Sequence, residues 1–86
     1  MKRIGIGGLI QRRALTQFHS IFTAQKYPTR LVADAIEISV PRMRRAIENP
    51  GLLNADQIIS IADYFQVTPT EMFQLIANQK KEMELL

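Results

Sequence analysis

The stretch from Thr29 to Asn49, TRLVADAIEISVPRMRRAIEN, constrains the fold of this 86-residue chain more than any other feature. Its apolar side chains repeat at helical spacing in two groups, Val32, Ala33 and Ile36, then Met43, Ala46 and Ile47. Glu37-Ile38-Ser39 interrupts the pattern. Ser39 followed by Pro41 marks a new helix, because serine caps a helix N-terminus and proline fits the first turn. The stretch therefore predicts two short helices joined by a tight turn.

The second of these helices is predicted to have a buried face and a basic face. At about 100° per residue, Val40, Met43, Ala46 and Ile47 lie on one side. Pro41 and Arg45 point opposite, Arg42 lies near them, and Arg44 projects sideways. An apolar stripe behind a basic surface is what a helix needs to be held in a domain while reaching phosphates and base edges of DNA.

The rest of the chain also has helical patterns, and we expect an all-α fold. A long amphipathic first helix is predicted from Leu9 to about Gln25, ended by Pro28, with Thr29 capping the next helix. Asn54 with Gln57, and Thr68 with Glu71, have the spacing of capping boxes and predict two further helices. Their predicted apolar stripes are Ile58, Ile59, Ile61, Ala62 and Phe65, then Met72, Phe73, Leu75 and Ile76. The expected architecture is a compact five-helix bundle.

Domain organisation follows from composition. Residues 1–8 are basic and glycine-rich, so we expect a flexible arm. Residues 9–78 form the predicted domain, and residues 79–86 a C-terminal tail that is either frayed or a dimer contact. The chain has no cysteine, and its apolar runs are too short for a signal peptide or a membrane span. A cytoplasmic protein without a disulfide framework is expected.

Charge is unevenly distributed along the chain. Residues 1–45 carry nine basic and two acidic side chains, a net of +7, whereas residues 46–86 carry two basic and six acidic ones, a net of −4. A basic half joined to an acidic half indicates one side that faces a polyanion, although a mixed solvated surface is the alternative.

The stretch from Thr29 to Asn49 resembles the helix-turn-helix unit of the Cro/phage-repressor (XRE-type) DNA-binding family. GLLNADQIISIADYFQVTPTEMFQLI is similar to the family's fourth and fifth helices, and the resemblance covers roughly residues 15–76. It implies a lambda-repressor-like DNA-binding domain, with the second helix of the unit as recognition helix. Two residues depart from the family's pattern. Glu37 stands where glycine is usual, and a left-handed backbone there costs on the order of 1 kcal/mol. Glu48 brings a carboxylate near the expected phosphates, which repel it unless Arg44 or Arg45 pairs with it.

Within this interpretation, the outward side chains of the recognition helix have distinct roles. Arg45 is the candidate for a base-edge contact, since arginine bonds guanine O6 and N7 in bidentate fashion. Val40 and Pro41 offer apolar surface to a thymine methyl group. Arg42 and Arg44 suit phosphates on the groove walls.

Two further residues are candidates for phosphate contacts. The hydroxyl of Ser39 suits a phosphate if capping does not use it fully. The resemblance implies a phosphate contact at Arg30, in the first turn of the preceding helix.

The resulting hypothesis is a bacterial or phage transcriptional regulator, such as a repressor, that binds double-stranded DNA as a homodimer. The alternative is a helix-turn-helix module that binds a protein partner, as an antitoxin does. RNA binding is less favoured, because exposed aromatic residues are lacking among the basic positions. No catalytic spacing, metal-ligand set or cofactor site is evident, and His19 is expected to be solvated.

Overall fold

Residues 6–84 are the part of the chain that the computed structural model describes, and they form helices and turns with no strand. The six α-helices are α1 (Ile6–Gln11), α2 (Ser20–Thr23), α3 (Thr29–Ala35), α4 (Val40–Glu48), α5 (Ala55–Tyr64) and α6 (Pro69–Glu84), with a 3-10 turn at Pro50–Leu52 between α4 and α5. The predicted all-α class is confirmed.

Capping side chains set the start of the two C-terminal helices. Before α5, the side-chain oxygen of Asn54 accepts a hydrogen bond from the Gln57 backbone amide at 2.8 Å, and the Asn54 backbone amide donates to the Gln57 side chain at 3.0 Å. Before α6, Thr68 and Glu71 exchange the same pair of bonds at 3.1 and 3.0 Å. Each pair satisfies two amides that have no partner within the helix. Both predicted capping boxes are confirmed.

Several helix C-termini lead into a residue with a left-handed backbone. These residues are Arg13, Lys26, Glu37 and Gln66, with φ between 54° and 61°. After α3, the Glu37 amide donates to the Asp34 carbonyl at 3.2 Å and the Ile38 amide donates to the Ala33 carbonyl at 3.0 Å. This is the Schellman arrangement, which reverses the chain direction while satisfying helix-end carbonyls. The left-handed turn thus forms with glutamate in place of glycine.

The predicted long first helix is wrong. The chain between α1 and α2 leaves helical geometry at Arg13, which has φ 57°. Two amide side chains of α6 supply hydrogen bonds to this segment: Asn78 donates to the Thr16 carbonyl at 2.9 Å, and Gln79 accepts from the His19 amide at 2.8 Å. Because tertiary bonds replace helical ones, Leu15 and Phe18 turn into the core, with 2% and 0% of their surface exposed. The bundle therefore has six helices instead of five.

The cap predicted at Thr29 is also wrong. Thr29 is the first residue inside α3, and Pro28 occupies the N-cap position without a side-chain bond. The backbone of Pro28 is extended, with ψ 122°, so the helix begins immediately after it. The extended segment places the ring of Tyr27 against Tyr64 and Phe65, at centroid distances of 5.9 and 5.0 Å.

Packing extends beyond both predicted limits of the domain, residues 9 and 78. Ile6, Gly7 and Gly8 belong to α1, and Ile6 is buried. Helix α6 continues to Glu84 and includes buried Gln79. The remaining parts of the predicted arm and tail, residues 1–5 and 85–86, lie outside the described residues.

One apolar core connects the helices. Its fully buried members include Phe18, Ile21, Val32, Ala33, Met43, Ile61, Ala62 and Met72. Ile59, which was predicted to be buried, is 46% exposed, and Phe73, of the apolar stripe predicted for the last helix, is 44% exposed. Each lies about 100° around its helix from the buried residue before it, Ile58 or Met72, which turns it to the edge of the stripe. None of the helices in residues 6–84 is long and apolar enough to cross a membrane.

Candidate nucleic-acid interface

Helix α4 begins at a well-defined cap. The Ser39 hydroxyl accepts a hydrogen bond from the Arg42 amide at 3.2 Å, and Pro41 lies in the first turn, where an amide has no helical partner. The predicted cap is confirmed. Because the hydroxyl is used in this way yet stays exposed, one of its lone pairs remains available to solvent or to a ligand.

The two faces of α4 differ sharply in burial. Met43, Ala46 and Ile47 face the core with 0%, 2% and 7% of their surface exposed. Arg42, Arg44 and Arg45 are exposed. Since α3 packs against the buried face of α4, the orientation of the three arginines is fixed by the core. The predicted division of this helix into an apolar face and a basic face is confirmed.

The three guanidinium groups have no neutralising partner in the part of the chain that the structure describes. Within residues 6–84, none of the side chains of Arg42, Arg44 and Arg45 has an ion pair or a hydrogen bond. Glu48, in the last turn of α4, is exposed and pairs with neither Arg44 nor Arg45. The competition between Glu48 and DNA for these arginines is therefore absent from this conformation.

The other predicted site residues lie at the ends of the same two helices. Pro41 is exposed at the N-terminal end of α4, whereas Val40 is half-buried and packs against the core. Val40 therefore offers only part of its surface to a ligand. Arg30 is exposed in the first turn of α3.

Two hollows flank α4. The smaller, about 160 Å³, lies beside Arg42 and Arg45 and is bordered by Leu52 from the 3-10 turn. The larger, about 620 Å³, is an open groove beside Arg44 that is bordered by Phe22, Ile47 and Met83. Arg44 thus projects to a different flank of α4 from Arg42 and Arg45, as the helical spacing predicts.

Two residues near this surface were missed by the sequence analysis. Leu52 is 54% exposed beside Arg42 and Arg45, and the Asn49-Pro50-Gly51 loop gives no indication of this position. Gln79 is 3% exposed and contacts the C-terminal end of α4, although it lies in the predicted tail. The sequence could indicate Gln79 only through its position, as a glutamine on the apolar face of α6. That position is apparent only if the predicted helix extends beyond residue 78.

His19 differs from its prediction as well. It is half-buried, and its ring forms a hydrogen bond with the side chain of Gln17. The ring also lies 3.5 Å from the Thr23 hydroxyl. Both partners lie within four residues of His19, so its ring makes local contacts on either side of the start of α2.

Residues 6–84 contain no cluster of three or more histidine or carboxylate side chains suited to a metal ion. Comparisons with protein-family models, with curated proteins and with solved structures find no match to this chain. The case for a function therefore depends on the geometry of α3 and α4 and on the charge they carry.

Proposed function

We propose that α3, the turn at residues 36–39 and α4 are a helix-turn-helix unit that binds double-stranded DNA, with α4 as the recognition helix in the major groove. The observation that carries the proposal is a set of three exposed arginines, without a side-chain partner among residues 6–84, on a helix whose opposite face is fixed in the core. An α-helix fits the major groove, where base edges present distinguishable donors and acceptors.

The side chains divide into contacts that specify and contacts that position. Arg45, opposite the buried face, is directed at the groove floor and suits guanine O6 and N7. Pro41, exposed at the N-terminal end of α4, suits a thymine methyl group, and Val40 contributes a smaller apolar surface. Phosphate contacts set affinity and register without reading sequence. The side chains suited to them are those of Arg30, Ser39, Arg42 and Arg44.

We further propose that the protein acts as a homodimeric transcriptional regulator of the Cro/phage-repressor type. One domain of this size covers a single half-site, and a second copy about one helical turn along the DNA raises affinity and specificity together. Helix α3 and the turn with left-handed Glu37 support this assignment, since the family's turn has a left-handed residue at the same position.

The test is selection of binding sites from random duplexes with the purified chain, followed by binding to the selected site at increasing salt. We expect a pseudo-palindromic site and an affinity that falls steeply with salt, because phosphate contacts release counterions. Recovery of unrelated sequences with no salt dependence would refute DNA recognition by α4.

A protein-binding function is the second candidate, and exposed apolar residues favour it. Leu31 and Ile59 are 49% and 46% exposed, and Ile59 borders a hollow with Ala35 between α3 and α5. An apolar protein interface would be nearly insensitive to salt, which separates this function from DNA binding in the same titration.

A further inference from the structure

Gln79 of α6 is the one polar residue that the core buries among those the structure describes, with 3% of its surface exposed. Burial of an amide is unfavourable unless its donors and acceptor are all used. Gln79 meets that requirement through partners on two other elements. Its carbonyl oxygen accepts from the His19 amide at 2.8 Å, before α2. Its amide nitrogen donates to the carbonyls of Ile47 at 2.8 Å and Glu48 at 3.4 Å, at the end of α4.

The bonds to α4 complete the end of that helix. The last four carbonyls of a helix have no amide partner within it. In α4, the Asn49 amide donates to the Arg45 carbonyl at 2.8 Å. Gln79 takes the carbonyls of Ile47 and Glu48 from a position more than 30 residues further along the chain. The last turn of α4 is therefore fixed by α6.

Arg44 is the arginine of α4 that shares a groove with this contact. It lines the same groove as Ile47, Glu48 and Gln79, and it lies one turn before Glu48 on the same side of α4. A change in the path of the last turn therefore moves Arg44. Arg42 is in the first turn, which Ser39 holds independently.

We propose that Gln79 is a positioning residue of the recognition helix: it fixes the last turn of α4 and thereby aims Arg44 at a phosphate. The effect of Gln79 on DNA affinity rests on the proposed function, whereas its effect on the last turn of α4 does not. The two are measured separately.

Two variants remove the contact in different ways. Gln79→Glu keeps the acceptor for His19 but replaces the donor to Ile47 and Glu48 with a carboxylate that their carbonyls repel. Gln79→Met has a similar length and removes donor and acceptor without adding charge. If the buried carboxylate prevents Gln79→Glu from folding, Gln79→Met still tests the contact.

Two controls match these changes on the same helix. Asn78→Ala loses the bond from α6 to the Thr16 carbonyl but leaves the end of α4 untouched. Gln74→Glu makes the same charge change at an exposed glutamine whose side chain, within residues 6–84, bonds only Asn78.

The first measurement is hydrogen exchange of backbone amides without DNA. In both Gln79 variants, we expect the amides of Glu48 and Asn49 to exchange about three- to tenfold faster relative to those of α5, and both controls to leave this ratio unchanged. An unchanged ratio in the Gln79 variants, or the same increase in Asn78→Ala, would overturn the positioning role. This result is obtained even if the chain binds no DNA.

The second measurement is a double-mutant cycle on affinity for a selected duplex. We expect Gln79→Met to weaken binding about three- to tenfold in the wild-type and Arg42→Ala backgrounds, and by less than twofold in the Arg44→Ala background. If Gln79→Met weakens binding by the same three- to tenfold factor in the Arg44→Ala background, Gln79 does not act through Arg44. If the wild-type chain binds no selected duplex, the proposed function fails, and the exchange data alone decide whether Gln79 fixes α4.

Discussion

Arg44 and Arg45 are consecutive in the sequence but point about 100° apart around α4, so their removal should have different consequences. We expect Arg45→Ala to relax base preference at one position of the site, a loss of roughly 1–3 kcal/mol of discrimination. Arg44→Ala should weaken binding to all sequences and reduce the salt slope by about one for each bound protomer, since each protomer loses one phosphate contact. Binding to a panel of single-base site variants at several salt concentrations measures both.

Lys81→Ala is the control for charge in this comparison. Lys81 is exposed on α6 and has no ion pair within residues 6–84, so its removal changes net charge without touching α4. It should leave both base preference and salt slope close to wild type. The assignment of α4 fails if Arg44→Ala and Arg45→Ala have no larger effect than Lys81→Ala.

The arginines of the candidate site could be predicted from the sequence, whereas Gln79 could not. The exposed positions of Arg42, Arg44 and Arg45 follow from helical geometry once Met43, Ala46 and Ile47 define the buried face. Gln79 is buried because carbonyls of α4 and an amide before α2 converge on it. Such convergence depends on tertiary structure, and glutamine is otherwise a residue of exposed helix surfaces.

At the scale of elements, the crossing of α3 and α4 depends on a small side chain. Ala33 is fully buried on α3, the helix that packs against α4. We expect Ala33→Leu to lower the free energy of unfolding by roughly 1–3 kcal/mol, because three extra carbon atoms overpack the site. Ala35→Leu is the control, since Ala35 is exposed on the same helix. A melting temperature unchanged by Ala33→Leu would contradict the packing of these helices.

The turn between α3 and α4 gives a prediction of the opposite sign. Glu37 has φ 61° and an exposed side chain, so its Cβ strains the backbone without contributing packing. Glu37→Gly should raise the free energy of unfolding by about 0.5–1 kcal/mol, after allowance for the greater freedom of glycine in the unfolded chain. Asp34→Gly, inside α3, should instead lower it by about 0.3 kcal/mol, the difference between the helix propensities of aspartate and glycine. Thermal unfolding of the two variants checks the difference in sign.

Helix starts were predicted more accurately than chain reversals. Ser39, Asn54 and Thr68 are side-chain caps, which are local in sequence. The reversal at Arg13 is not local, because the segment that follows is held by Asn78 and by Gln79, whose contact with His19 spans 60 residues. Glycine, the usual mark of a left-handed helix end, is also missing at Arg13. Apolar spacing through Leu15, Phe18 and Ile21 therefore resembled a continuous helix.

At the scale of the molecule, basic and acidic side chains are separated along the chain. Its first 45 residues, which include α3 and most of α4, carry a net +7, and the remainder carries −4. In the proposed function, a duplex would be attracted by the arginines of α3 and α4 and repelled by the acidic side chains of α5 and α6. Electrostatic orientation of the protein before it contacts the duplex would raise the association rate. This increase would diminish as salt screens the charges.

The same charges give a measurement that distinguishes one bound protomer from two. If Arg30, Arg42 and Arg44 each neutralise one phosphate, log K should fall with log salt with a slope of about −2.7 for one protomer and about −5.4 for a dimer. We expect the dimer value on a duplex with two half-sites and the monomer value on a half-site duplex. Arg30→Ala should reduce the dimer slope by about two, since both protomers lose the contact. A slope near −2.7 on the full site, with one chain per duplex by sedimentation, would refute the homodimer and leave recognition by α4 intact.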